Sequence, residues 1–166
     1  MSGSFRRVVV TGLGAVSSIG IGKDEFWSSL TAGSIGCGKI NLFDTSGFEK
    51  HVGGQVYKFD AEKIMRSGNS VPLGRSAALG ASAARLAADD AELKIVDSAH
   101  DPGVVAMGTT SGESFLIEQL AEKWYSSGES SISPSEIAAV PASEISRAVS
   151  SELSMCGDSI TISTAC

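Results

Sequence analysis

"DSITISTAC" (158–166) decides how this chain is read. Ile160 and Ile162 alternate with Thr161 and Ser163, the period-two pattern of a β-strand with one apolar and one hydroxyl face. The strand runs out on small residues and then delivers a thiol, Cys166. An α/β fold displays its reacting groups at the carboxyl end of a sheet. A helix beginning after Cys166 would set the thiol beside free N–H groups and the positive end of a helix dipole, which favour the thiolate. Pattern alone leaves two readings open, a nucleophile or an ordinary cysteine.

Working back from that strand, helical and extended patterns alternate. "RRVVVTGLGAV" (6–16) reads as a short buried strand entering a glycine-rich turn, and "KDEFWSSLTAG" (23–33) as a helix with Asp24 and Glu25 in its first turn and Gly33 stopping it. "HVGGQVY" is a possible strand in an otherwise irregular stretch, 34–60. A long helix is expected from Pro72 to Leu93, with Pro72 tolerated at its start. Within it Ala77, Ala81, Ala84, Ala88 and Ala91 form a stripe almost free of side chain, so the helix can lie close to a neighbour. "DPGVVAMG" (101–108) is a second buried strand, and "TTSGES" turns it into the helix "FLIEQLAEKWYSSG". A Ser- and Pro-rich loop follows and breaks into a helix that Gly157 is expected to close. Interleaved strands and helices with no repeat and no linker point to one α/β domain, 1–166, with parallel connections.

Composition narrows the function classes. The formal charge is −6, with no Lys/Arg cluster, which argues against a nucleic-acid binder. No apolar run is long enough to span a bilayer, so no membrane association is expected. "MSGSFRRVVV" is not a signal peptide. The three cysteines, Cys37, Cys156 and Cys166, have no metal-ligand spacing and fit a reducing compartment, so a cytoplasmic location and no bound metal are expected.

Other candidate motifs have plainer explanations. Gly12 and Gly14 match the first two glycines of a dinucleotide-binding turn, but Ser17 takes the third position and no acid follows a second strand. A turn that packs close to its neighbours explains them better. Ser111, in "GTTSG" (108–112), is misplaced for a nucleophile elbow and has no histidine partner. His51 and His100 read as solvated loop residues, and Cys37 and Cys156 as small filler residues.

"RRVVVTGLGAVSSIG", "FWSSLTAGSIG", "FDTSGF", "LGRSAALGASAARLAADDAEL", "VVAMGTTSGE" and "GDSITISTAC", taken in order, resemble successive blocks of a β-ketoacyl-acyl-carrier-protein synthase, most closely the chain-elongating type. The resemblance implies a thiolase-like layered α-β-α-β-α fold, of which this chain is the amino-terminal half. It implies a dimer with the "DSITIST" strand near its dyad, leaving an apolar edge on an isolated half. It makes Cys166 the acyl-accepting nucleophile, with its own backbone N–H as one oxyanion donor. No cofactor is implied, because the acyl group arrives as a thioester on the phosphopantetheine arm of an acyl carrier protein. The implied reaction is a decarboxylative Claisen condensation with malonyl carrier protein, adding two carbons to a fatty acid or polyketide.

The chain departs from that family pattern in places. The family's two histidines and lysine belong to the second half, and neither His51 nor His100 aligns with them, so this chain alone is not expected to complete the reaction. Ser111 falls where a bulky apolar residue usually gates the acyl pocket, and Glu113 replaces a usual glycine. A small polar gate implies a pocket open to longer, more rigid or unsaturated chains. The carrier-docking surface keeps Lys63, Arg66 and Arg75 in otherwise neutral sequence. The polar gate makes a heterodimer with a chain-length-factor-like homologue an alternative to a homodimer, with this chain as the cysteine-bearing catalytic subunit. A further alternative is a non-catalytic fragment that binds a carrier protein.

Overall fold

Small side chains on one helix set the packing of this protein. The computed structural model describes residues 6–66, 72–94 and 102–164. In chain order the first elements are β1 (Val16–Ser17), β2 (Gly20–Ile21), α1 (Lys23–Thr31), β3 (Gly38–Lys39), β4 (Val52–Gly53) and α2 (Ala61–Ile64). They are followed by α3 (Arg75–Asp90), β5 (Val105–Gly108), α4 (Ser114–Ser127), a 3₁₀ turn over Glu129–Ser131, α5 (Pro134–Ala138), α6 (Ser143–Glu152) and β6 (Ser159–Ile162). Strands β1 and β2 pair antiparallel, as do β3 and β4. Strands β5 and β6 pair parallel, Val105 opposite Ser159 through Gly108 opposite Ile162. The mixed helix and strand order is that of an α/β protein, with the expected parallel connection at β5 and β6.

The core forms where α3, α6 and β5 meet. Ala77 and Ala81 of α3 pack with Val105 of β5 and with Ile145, Ala148 and Val149 of α6; Met107, Leu153 and Met155 close the edges. Residues 145, 148, 149 and 152 of α6 follow the i, i+3, i+4, i+7 spacing that puts one helical face inward. The alanine stripe of α3 lets neighbouring backbone approach on a second side as well. A Cβ on Gly12 would lie 2.1 Å from the Ala87 carbonyl oxygen, and one on Gly14 would lie 1.9 Å from that of Ala83. These glycines exist for close packing against α3, as the sequence reading prefers over a dinucleotide turn.

Arg85 and Glu152 join α3 to α6 inside the protein, at 4% and 1% exposure. Arg85 Nε donates to Glu152 Oε1 at 2.5 Å, and Nη2 donates to the Glu152 carbonyl at 2.5 Å. The Arg66 backbone N–H donates to the same Oε1 at 2.9 Å. The pair is therefore hydrogen-bonded on several sides, the condition under which buried charges are tolerated.

Three local expectations are corrected. Residues 6–15 form no strand, and Val8, Val9 and Val10 are exposed; no strand lies beside them among the described residues. Gly157 does not close α6, which ends at Glu152 with Ser154 at φ 51° taking the left-handed position. Gly157 instead lets backbone pass close by, since its Cβ would meet the Gly103 carbonyl at 2.4 Å. Cys37 and Cys156 are exposed thiols rather than filler residues.

Candidate functional site

The carboxyl ends of β5 and β6 lie side by side. Beyond their last paired residues, the Thr109 N–H donates to the Ile162 carbonyl at 2.9 Å. The turn carrying Ser111 thus leaves the sheet next to Ser163 and Thr164, which lead toward Cys166. Cys166 itself, like His100, lies outside the described residues. The parallel register brings the turn that carries Ser111 and the described residues Ser163 and Thr164 to the same end of the strand pair.

Strand β6 uses its two faces differently. The Thr161 hydroxyl donates to Ser146 Oγ at 2.9 Å and accepts from the Ser146 N–H at 3.3 Å. Ser146 Oγ in turn donates to the Ser143 carbonyl at 3.1 Å, within the first turn of α6. The hydroxyl face therefore seats the strand on α6. On the other face Ile160 and Ile162 remain more than half exposed, at 53% and 57%. That apolar face is the one the alternation in "SITI" marked.

The turn from β5 into α4 is held at several points. Ser111 is exposed at its tip. On either side, the Gly112 N–H donates to Thr109 Oγ1 at 3.1 Å and Ser76 Oγ donates to the Gly112 carbonyl at 2.8 Å. Gly112 sits at φ 59°, a conformation that favours glycine. Glu113, only 1% exposed, turns its carboxylate onto the start of α3. Its Oε2 accepts from the Ser76 N–H at 3.0 Å and its Oε1 from the Ala77 N–H at 2.6 Å. Gly74 takes the position before α3 where a capping side chain would stand and has none, so Glu113 supplies from a distant segment what an N-cap residue usually supplies locally. Gly74 leaves room for this, because a Cβ there would fall 2.3 Å from the carboxylate.

The remaining candidates do not join this site. His51 is exposed, with Nδ1 3.2 Å from Thr45 Oγ1, and fits the solvated loop histidine expected of it. Lys63 pairs with Asp60 at 2.7 Å and Arg66 with Asp89 at 2.9 Å. Arg75 donates to the Val56 carbonyl at 3.2 Å and lies 5.6 Å over the Phe59 ring. The three basic residues noted in the sequence are thus each engaged within the chain, although Lys63 stays largely exposed. Among the described residues no group of three or more His, Cys, Asp or Glu is placed to hold a metal, and no helix is long and apolar enough to cross a membrane.

Sequence reasoning flagged Glu113 only as a substitution for glycine and missed its partner. The available signal was a lone acid beside a glycine turn, matched to a helix start at "PLGRSA" with no capping side chain. It also missed the capping box of α5, where Ser133 and Glu136 satisfy each other's backbone N–H groups, although "SPSE" carries that signature openly.

Comparison with known proteins gives a consistent picture. The family described as "Beta-ketoacyl synthase, N-terminal domain" matches residues 5–166. The chain is 31% identical over 163 residues to 3-oxoacyl-[acyl-carrier-protein] synthase 2 of Vibrio cholerae serotype O1, covering 98% of this chain and 39% of that protein. Among solved structures, the ishigamide ketosynthase/chain length factor superposes with a TM-score of 0.89 at 33% identity, covering 96% of this chain and 40% of that one. A type II polyketide ketosynthase, solved with its acyl-carrier protein, shares the fold with a TM-score of 0.75 at 24% identity, over 96% of this chain and 38% of that one. The chain spans about two fifths of the length of these relatives.

Proposed function

The chain belongs to the β-ketoacyl synthase family, with the thiolase-like fold of its structural neighbours, and from that premise we propose that it supplies the nucleophilic half of a condensing enzyme. Cys166 accepts an acyl group from the phosphopantetheine thioester of an acyl carrier protein. Thiolate attack on a thioester exchanges one C–S bond for another, so the acyl group is stored at little cost in free energy. The tetrahedral oxyanion is held by backbone N–H groups, that of Cys166 among them. A malonyl carrier protein then loses CO₂, and its carbanion attacks the stored acyl group. A C–C bond forms, the Cys166 thiolate leaves, and the chain is two carbons longer.

The observation that supports this most is the shared edge of β5 and β6, where the Thr109 N–H meets the Ile162 carbonyl at 2.9 Å. It sets the Ser111 turn beside the segment leading to Cys166, as a gate beside a nucleophile requires. On this reading residues 1–166 act with the further histidines and lysine of a longer protein. The exposed Val8–Val10 segment and the Ile160 and Ile162 face are then surfaces that other parts of the assembly cover. The test is turnover by the full-length protein of acyl- and malonyl-carrier protein to a β-ketoacyl product. Product from the wild type and none from Cys166→Ala supports the proposal; equal product from both contradicts it.

A second reading is favoured by the 0.89 superposition on a ketosynthase/chain length factor. The enzyme would then be a heterodimer in which this chain is the cysteine-bearing subunit. Co-purification with a homologue lacking the cysteine supports that arrangement, and a homodimer active alone contradicts it.

A further inference from the structure

The turn Thr109–Glu113 carries an exposed residue between anchored neighbours. Ser111 is free at the tip, while Gly112 is held by Thr109 Oγ1 and Ser76 Oγ at 3.1 and 2.8 Å. Glu113 is buried to 1% and accepts two N–H groups of α3, at 3.0 and 2.6 Å. Helix α3 is itself fixed by the core around Ala77 and Ala81 and by the Arg85–Glu152 pair. The two residues after the tip are thus both tied to the first turn of α3. A glycine in place of Glu113 would leave the turn held to α3 by the single Ser76 bond, about which it can swing; the carboxylate adds two further bonds and removes that freedom.

We propose that Glu113 is a positioning residue that clamps the Ser111 turn to the first turn of α3, so that the acyl-pocket gate is fixed rather than swinging. This rests on the reading of Ser111 as a gate. In a swinging gate a bulky residue can move aside to admit a longer chain. In a clamped gate it cannot, and pocket length is set by the size of the side chain at 111 alone. Selection for long chains is then met by a small residue, which Ser111 is. A carboxylate is required because two N–H donors converge on it. A glutamine places one acceptor and one donor there and leaves an N–H facing an N–H.

The test is a cycle of variants in the full-length protein, read out as product chain length. Ser111→Phe alone should shorten the product by at least one extension unit. Combined with Glu113→Gly, the shortening should be relieved in most of the product, because the freed turn lets the ring move aside. Ser76→Ala, which removes one anchor and leaves the carboxylate in place, should relieve it partly. Shortening that persists undiminished in Ser111→Phe/Glu113→Gly overturns the clamp and keeps the gate. Unchanged products from Ser111→Phe alone retire the gate and the clamp with it. Hydrogen exchange in the wild-type protein decides the matter even where a Glu113 variant fails to fold. Amides of 76 and 77, which donate to the Glu113 carboxylate, should exchange slowly; fast exchange at both beside protected amides later in α3 overturns the clamp.

Discussion

The Thr161 hydroxyl donates to Ser146 Oγ across 2.9 Å, tying the middle of β6 to the first turn of α6. Among the described residues β6 pairs only with the four-residue β5, and such a two-stranded sheet is marginal without packing on one face. The hydroxyl face is the seat, and Ile160 and Ile162 are turned away from it. On the proposed function this bond fixes the strand that leads to Cys166.

Replacing Thr161 with valine keeps the shape of the side chain and removes the bond, leaving Ser146 Oγ and N–H without this partner. The expected loss of stability is about 1–2 kcal/mol, measured by urea unfolding. Acylation at Cys166 should slow in the same variant. Wild-type stability in Thr161→Val would mean that water replaces the bond without cost.

The Arg85–Glu152 pair should be asymmetric to mutation. Arg85→Met removes the cation from a carboxylate that is 1% exposed and is expected to cost about 3–5 kcal/mol. The double variant Arg85→Met/Glu152→Leu, which removes both charges, should recover much of that loss. A double-mutant cycle by denaturant unfolding checks this, and additive losses would contradict it.

Close packing of Gly14 on α3 predicts a steep cost for a single methyl group. Its Cβ would lie 1.9 Å from the Ala83 carbonyl, so backbone rather than a flexible side chain must yield. Gly14→Ala is expected to lose about 3 kcal/mol, at the upper end of overpacking effects. Gly47→Ala is the control, because nothing lies within 4 Å of its Cβ position and it should be close to neutral by thermal unfolding.

The α5 cap should be acid-sensitive. A hydrogen bond from Lys123, then backbone and hydroxyl bonds from Ser133, hold the Glu136 carboxyl down at about 2 against an ordinary 4.5. A carboxyl whose folded pKa is depressed stabilises the fold fully above its unfolded value. That contribution falls away as pH drops from about 4.5 through about 2. Carboxyl NMR titration of Glu136 should show the low midpoint, and Lys123→Ala should raise it. An ordinary midpoint in the wild type would mean that the Lys123 bond at 2.8 Å does not persist in solution.

Some of this architecture is written locally and some is not. The α1 helix was legible because its signals lie within it: Asp24 and Glu25 open it, Glu25 accepts from the Ile21 N–H at 2.9 Å, and Gly33 follows it at φ 68°. The alanine stripe of α3 announced close packing, and Ala77, Ala81 and Ala88 are buried as it implied. Segment 6–15 was misread because an apolar run specifies burial without specifying a partner, and a strand exists only through its pairing. The Glu113 clamp was invisible for a related reason: donor and acceptor are 36 positions apart, and neither end marks the other. Local chemistry is legible in one dimension, whereas long-range satisfaction of backbone groups becomes so only when the fold brings them together.

The most direct test of the proposed chemistry is the site of acylation. The full-length protein is incubated with an acyl-loaded carrier protein, and its denatured mass and peptides are compared before and after. The account predicts one added acyl group, located on the peptide containing Cys166 and absent in Cys166→Ala. An unmodified protein, or an acyl group carried instead on Cys37 or Cys156, would contradict it.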